Sequence, residues 1–424
     1  MNHLRLLASV IASLLCIATC AAWEPDADTR TQAFDEAFRS IQVKVDGDDQ
    51  ALPIITLNGP ERLTIEFDEI ADSRSYLRYS LIHCSADWQP DDLVDSEFLD
   101  GFNQADVEQY AFSRATLVHY VHYTITIPDQ QMRPLLSGNY LLRVYPEDDP
   151  DTTLLQVRFA VSEATMNVGT ALTTRTDIDY NERHQQLSLV VDADRVPVRN
   201  LNSDLKVVVS QNGRLDNLVT LTTPVRVVGS KAYFEHLPQL IYPGGNEYRR
   251  MEIVSTRYPS MGVEGVERLG TTYHFFLAPD LPRAGEPYLY DQTQHGRFRI
   301  REYNSDNSDI EAEYADVHFS LVMPEQADGD IFIDGDLVYR MMDPTSRMVY
   351  NRATGAYELV LNLKQGAYNY EYLFVPHGSL RGSTARVEGD HCETVNEYVT
   401  RVYTRLPADR YDRLVAVGAV FSHY

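Results

Sequence analysis

The sequence predicts an all-β protein made of tandem antiparallel β-sandwich (immunoglobulin-like) domains, and three observations predict it. Helical periodicity is scarce. The one fair stretch is Thr31 to Ser40, where Phe34, Ala37 and Phe38 recur at helical spacing. Most of the remaining chain reads as runs of five to nine residues with strand character, divided by turn clusters. The composition, 44% apolar, 10% aromatic and 23% charged, can fill real cores, which sets aside disordered, collagen-like and coiled-coil chains.

The elements follow in order. In Tyr120 to Ile127, residues Val121, Tyr123, Ile125 and Ile127 fall on one face and Tyr120, His122, Thr124 and Thr126 on the other. Pro128-Asp129 breaks that run, and Ser137-Gly138 opens the next strand, Asn139 to Tyr145. Pro146 to Asp151 reads as a hairpin tip because the strands on either side are alike. Further strands are expected at Leu154 to Val161, Leu187 to Val191, Leu205 to Ser210, Tyr357 to Leu363 and Tyr368 to Phe374. Many strands with short turns imply packed sheets rather than a parallel α/β core.

At 424 residues the chain is long enough for about three domains. The expected division is a leader over residues 1–22, an N-terminal β-sandwich over 23–162, a central β domain over 163–283 and a C-terminal β-sandwich over 284–424. The later boundary rests on Pro279 to Pro287, where prolines bias their neighbours to extended backbone and Gly285 loosens the rest. Asn304 to Asp309 reads as an exposed loop, and no internal repeat is visible.

Arg5, the apolar run Leu6 to Ile17 and the small residues Ala18 to Ala22 have the layout of a secretory signal peptide. Cleavage after Ala22 would leave a chain beginning at Trp23, whereas cleavage before Cys20 would leave a lipid-anchored one. The net charge of −25 speaks against nucleic acid, which needs a basic face. Only four of the basic residues are lysines, Lys44, Lys206, Lys231 and Lys364, which reads as an acidic, soluble surface. Past the leader, two cysteines remain, Cys84 and Cys392; a bridge would join distant segments, and two separate buried thiols are the simpler expectation.

His83, Cys84, Asp87, His119 and His122 are residue types that bind zinc, but a site needs three or four converging ligands. His119 and His122 differ by three along a strand and so point to opposite faces. Cys84 beside His83 is adjacency in sequence only, and no nucleophile-elbow pattern surrounds a serine. Gly262 to Glu267 places acids where a phosphate would sit, so it is no nucleotide fingerprint. Asp330 with Asp334-Gly335-Asp336 has calcium-type carboxylates without the loop spacing, and reads as a hairpin turn. No catalytic, cofactor or metal residue is nominated, and neither a cofactor nor a small-molecule substrate is expected.

Several motifs taken together resemble the type IX secretion system plug protein family. They are His83-Cys84-Ser85-Ala86-Asp87-Trp88, Gly101-Phe102, Tyr120-Val121-His122-Tyr123, Ser137-Gly138-Asn139-Tyr140 and Gly245-Asn246-Glu247-Tyr248-Arg249. Leu363 to Tyr370, Glu388-Gly389-Asp390-His391 and Arg410-Tyr411-Asp412-Arg413-Leu414 complete the ordered set. Cys392 and Asp390 depart from the pattern. The resemblance implies a non-enzymatic periplasmic protein of Bacteroidota-type bacteria, associated with the outer membrane. Its partner would be the large outer-membrane β-barrel translocon, whose periplasmic mouth it would close. The motif residues read as fold-specifying turns and packing positions. Asp316 to Val375 also looks like an early-set immunoglobulin-like domain, some of which bind α-glucans; a periplasmic glycan-binding protein is therefore the alternative, with Tyr339, Tyr357 and Tyr370 as candidate platforms.

Overall fold

The structure, a computed structural model, describes residues 29–196, 198–406 and 408–422. The leader, Cys20 and Trp23 lie outside the described residues. The chain is all-β, with tandem β-sandwiches built from multiple antiparallel sheets. No helix among the described residues is long and apolar enough to cross a membrane.

The strand pattern read from alternation is realised closely. Val121–Ile127 alternates buried and half-buried positions along its whole length. Gly138–Pro146 and Leu155–Ser162 form the expected antiparallel hairpin around the 146–151 tip. His184–Asp192, Leu205–Gln211, Ala356–Lys364 and Gly366–Pro376 extend the other expected strands by a few residues. The helix expected over Thr31 to Ser40 is absent. That segment gives a short strand, Gln32–Ala33, a turn, and the strand Phe38–Val45. Phe34 is half exposed while Phe38 is buried, so the apolar spacing marks two elements rather than one face.

Three main hydrophobic cores organise the described residues. The first, from Phe38 to Val161, lies between two sheets of the N-terminal region. One of these has the order Phe38–Val45, Leu63–Glu69, Val121–Ile127, Gln109–Phe112. The second core begins at Met166 and runs to Tyr242, but it also contains Tyr398, Val402, Val415 and Ala416. The physical reason is strand pairing: Leu205–Gln211 hydrogen-bonds to Glu397–Thr404, which pairs with Arg413–Phe421. The third core spans Met251 to Val387.

The break expected at residue 283/284 therefore does not coincide with a break in the cores. Leu277 and Phe298, on either side of the Pro279–Pro287 segment, belong to the same third core. That segment is an internal loop, tied down by charged side chains described below. The chain enters the second unit, leaves it to build the third, and returns to complete the second. Two strand pairs are parallel, Leu155–Ser162 with Ile54–Thr56 and Thr272–Leu277 with Tyr314–Val322, so the sheets are not wholly antiparallel. Gly335 does not close a hairpin either: Gly329–Asp334 pairs with Gly366–Pro376, and Asp336–Val338 is a tight helical turn.

Candidate functional site

The residues singled out as possible zinc ligands go to separate places. His83 is buried, its Nδ1 2.7 Å from the Asp91 carboxylate and its Nε2 3.1 Å from the Ser137 carbonyl. Asp87 is exposed and pairs with Lys206 at 2.6 Å. His119 is exposed beside Asp72, while His122 is largely buried beside Asp68. Cys84 and Cys392 are both free and buried. Burial pushes the Cys84 thiol up to about 12, and burial with Glu393 alongside pushes Cys392 up to about 11. Neither is therefore primed as a thiolate. Glu66, His122 and Asp309 do bring ligand atoms within 4.8 Å of one another. The Lys44 ammonium sits 2.6 Å from Glu66 and 3.9 Å from Asp309, so a cation already occupies that acidic corner.

The motif residues instead converge on the contacts between the three units. Between the first and third units, Asp68 accepts hydrogen bonds from Lys364 Nζ at 2.5 Å, Tyr314 Oη at 2.7 Å and His122 Nδ1 at 2.7 Å. Both charged side chains are essentially sealed from water, at 2% exposure for Lys364 and 1% for Asp68. The Lys364 ammonium also lies 4.2 Å from the Tyr120 ring centroid. Burial pushes the Asp68 carboxyl up, but Lys364 and His122 outweigh it and hold it below the usual carboxylate range.

Between the first and second units, the opening and closing motifs interlock. The Ala86 amide donates to Asp412 at 2.8 Å, and Tyr403 Oη donates to Asn139 Oδ1 at 2.8 Å. The Asn139 amide in turn donates to the Ser85 carbonyl. Arg413 forks onto Glu163, which also accepts from Ser137 Oγ. The His83 ring packs edge-on against Tyr140 and Tyr411. Gly138, at φ +137°, has no room for a Cβ between the His83 ring and the Asp412 carbonyl, which is why this motif carries glycine.

Within the third unit, where it borders the second, Glu388 accepts from Arg249 at 3.0 Å and from Arg283 at 2.6 Å. Burial raises the Glu388 carboxyl, but the two guanidinium groups prevail and lower it. Arg249 reaches on to Asp280, which also accepts from Tyr370 and Tyr372. These contacts anchor the proline-bearing loop. Asn246 donates to the Glu388 carbonyl, and at Gly244 a methyl group would overlap the His391 carbonyl oxygen. Beside them a second buried set joins Arg214, Asp216 and Glu371 with Arg340 and Asp334. Burial, opposed by Arg214, pushes the Glu371 carboxyl up to about 8.

Where the three units meet they leave a cavity of ≈ 490 Å³. Its walls include Trp88 and Arg158 from the first unit, Ser210 and Arg401 from the second, and Phe298 and Arg340 from the third. Sequence reasoning missed this cavity and the Asp68–Lys364 contact. The scarcity of lysine was the one available signal for the latter. The tyrosines expected as exposed glycan platforms are not platforms: Tyr357 and Tyr370 are each 4% exposed and belong to the third core, and Tyr339 is half-buried. Exposed aromatics gather elsewhere, on the edge strand Gln109–Phe112, where Arg74 lies over both Tyr76 and Tyr110 and Phe112 packs edge-on against Tyr110.

A family model described as the type 9 secretion system plug protein 1st domain matches residues 38–163. That range coincides closely with the first core. The crystal structure of a hypothetical protein from Parabacteroides merdae is similar over 93% of this chain and 99% of its own, with 37% sequence identity and a TM-score of 0.91. No curated protein matches the chain.

Proposed function

The chain belongs to the type 9 secretion system plug protein family, and from that premise we propose that it is a periplasmic stopper. It binds the periplasmic mouth of the large outer-membrane β-barrel translocon and closes it while the channel is idle. Membership associates the chain with the secretion system, and the plug family is not a family of enzymes. The observation that carries the reading is the way family motifs are used in the fold. They link three sandwiches through buried charge and hydrogen-bond contacts, as an obstructing body requires. A wide barrel leaks unless something fills its mouth, and a stiff body does so without any covalent step. Release needs only a translocon state that binds the plug more weakly.

The contact includes the edge strand Gln109–Phe112. Tyr76, Tyr110 and Phe112 are 64%, 39% and 48% exposed there, and Arg74 bridges two of them. Tyrosine and arginine are the side chains that most often anchor protein interfaces. Affinity-tagged protein is expected to copurify with a very large outer-membrane barrel, and Tyr110→Ser with Phe112→Ser to reduce that recovery. Deletion of the gene is expected to admit large hydrophilic antibiotics. Repeated recovery without a barrel, together with an unchanged permeability barrier, would overturn the proposal.

A further inference from the structure

We propose that the cavity between the three units is a binding site for a medium-chain aliphatic carboxylate, with Arg401 and Ser210 taking the head group. Its volume of ≈ 490 Å³ falls within the range that holds small organic ligands. Its apolar lining is mainly aliphatic, supplied by residues such as Ile41, Leu52, Ile54, Val208 and Leu218. An aliphatic tail suits that lining.

The polar side follows from strand alternation. On Leu205–Gln211, the residues Leu205, Val207 and Val209 point into the second core. Val208 and Ser210 must then face the other way, and both line the cavity. On Glu397–Thr404 the same rule puts Tyr398 and Val402 in the core and Arg401 and Tyr403 on the cavity side. Ser210 is 2% exposed, and its hydroxyl has no hydrogen-bond partner. Arg401 Nε is likewise buried and unbonded.

The other charges of the wall are engaged. Arg297 pairs with Glu397, Arg340 with Asp336, Asp87 with Lys206 and Asp49 with Arg299. Arg158 stacks on Trp88 and donates to Thr29. Arg401 is the wall cation without an acidic partner among the described residues. A buried donor left unbonded costs about 1–3 kcal/mol. A carboxylate would satisfy the guanidinium and the hydroxyl together, while the tail displaces water from the aliphatic wall. Because all three units contribute to the lining, the ligand would also hold them together. This reading does not depend on a translocon and is tested on the purified chain.

Trp88 in the wall is the reporter. A Trp23→Phe background leaves it as the single tryptophan, since the chain has two. Titration with decanoate is expected to change Trp88 fluorescence saturably. 1-Decanol, with the tail and no charge, and acetate, with the charge and no tail, are each expected to bind at least about tenfold more weakly. Arg401→Gln is expected to weaken decanoate about tenfold or more and leave decanol unchanged. Should that variant fail to fold, Thr220→Phe serves instead. Thr220 is exposed in the cavity wall, so the bulky ring should block entry and abolish the response. Absence of saturable decanoate binding, equal binding of decanol, or decanoate binding unchanged by whichever variant folds would each overturn the proposal.

Discussion

The contact between Asp68 and Lys364 and the cavity between the three units are made by the same kinds of surface, yet they end differently. At the contact, the carboxylate, the ammonium, Tyr314 and His122 satisfy one another with water excluded. In the cavity, Ser210 Oγ and Arg401 Nε are buried without partners. A buried polar group that is paired specifies how two units sit, whereas one that is unpaired destabilises unless something else meets it. The first arrangement reads as a joint and the second as a place for a ligand.

The largest expected effect breaks the joint. Lys364→Met leaves the Asp68 carboxylate buried without its ammonium, and urea denaturation should register a loss of about 3–5 kcal/mol. A loss below about 1 kcal/mol would remove the distinction between joint and cavity. Because Asp68 is held below its ordinary range, its contribution is present above the unfolded-state pKa and fades as pH falls through the folded value. Acid unfolding of the parent should therefore steepen there, and Asp68→Asn should blunt it.

Glu388→Gln comes next. It leaves Arg249 and Arg283 without their shared carboxylate, and the expected loss is about 2–3 kcal/mol.

Glu371 sharpens the comparison from the opposite sign. Its carboxyl is raised from 4.5 to about 8, chiefly by burial, among Arg214, Asp334, Glu388 and Arg340. The folded state then holds a proton that the unfolded state releases. This stability is present below about 4.5 and is lost as pH rises through about 8. Glu371→Gln mimics the protonated form. It should melt close to the parent at pH about 4 and above it at pH about 9; a parallel shift at both values would contradict this. The smallest effect is expected at the more open pair: Arg413→Ala, removing the fork onto Glu163 at 23% and 11% exposure, should cost about 1 kcal/mol.

Legibility in the sequence followed the range of the interaction. Val121–Ile127 and Gly138–Pro146 were readable because alternation and turn chemistry are local. The helical reading of Thr31 to Ser40 failed because too few apolar positions separate a short helix from a strand–turn–strand. Pro279 to Pro287 looked like a linker by composition, but Asp280 and Arg283 are held by partners far along the chain. The motifs were visible as motifs, and as packing positions, without revealing which motif meets which. Ser137-Gly138 lies against Asp412 and Asn246 against Glu388 only in three dimensions.

By itself the sequence determined the strands, their inward faces and the family, since each rests on residue order and on periods of two. Tertiary structure alone decided that the last two strands return to the second unit, that one of four lysines is buried as a joint, and that Arg401 and Ser210 share a cavity. Those outcomes depend on pairing between segments hundreds of residues apart, and local alternation carries no information about which partner a strand edge will find.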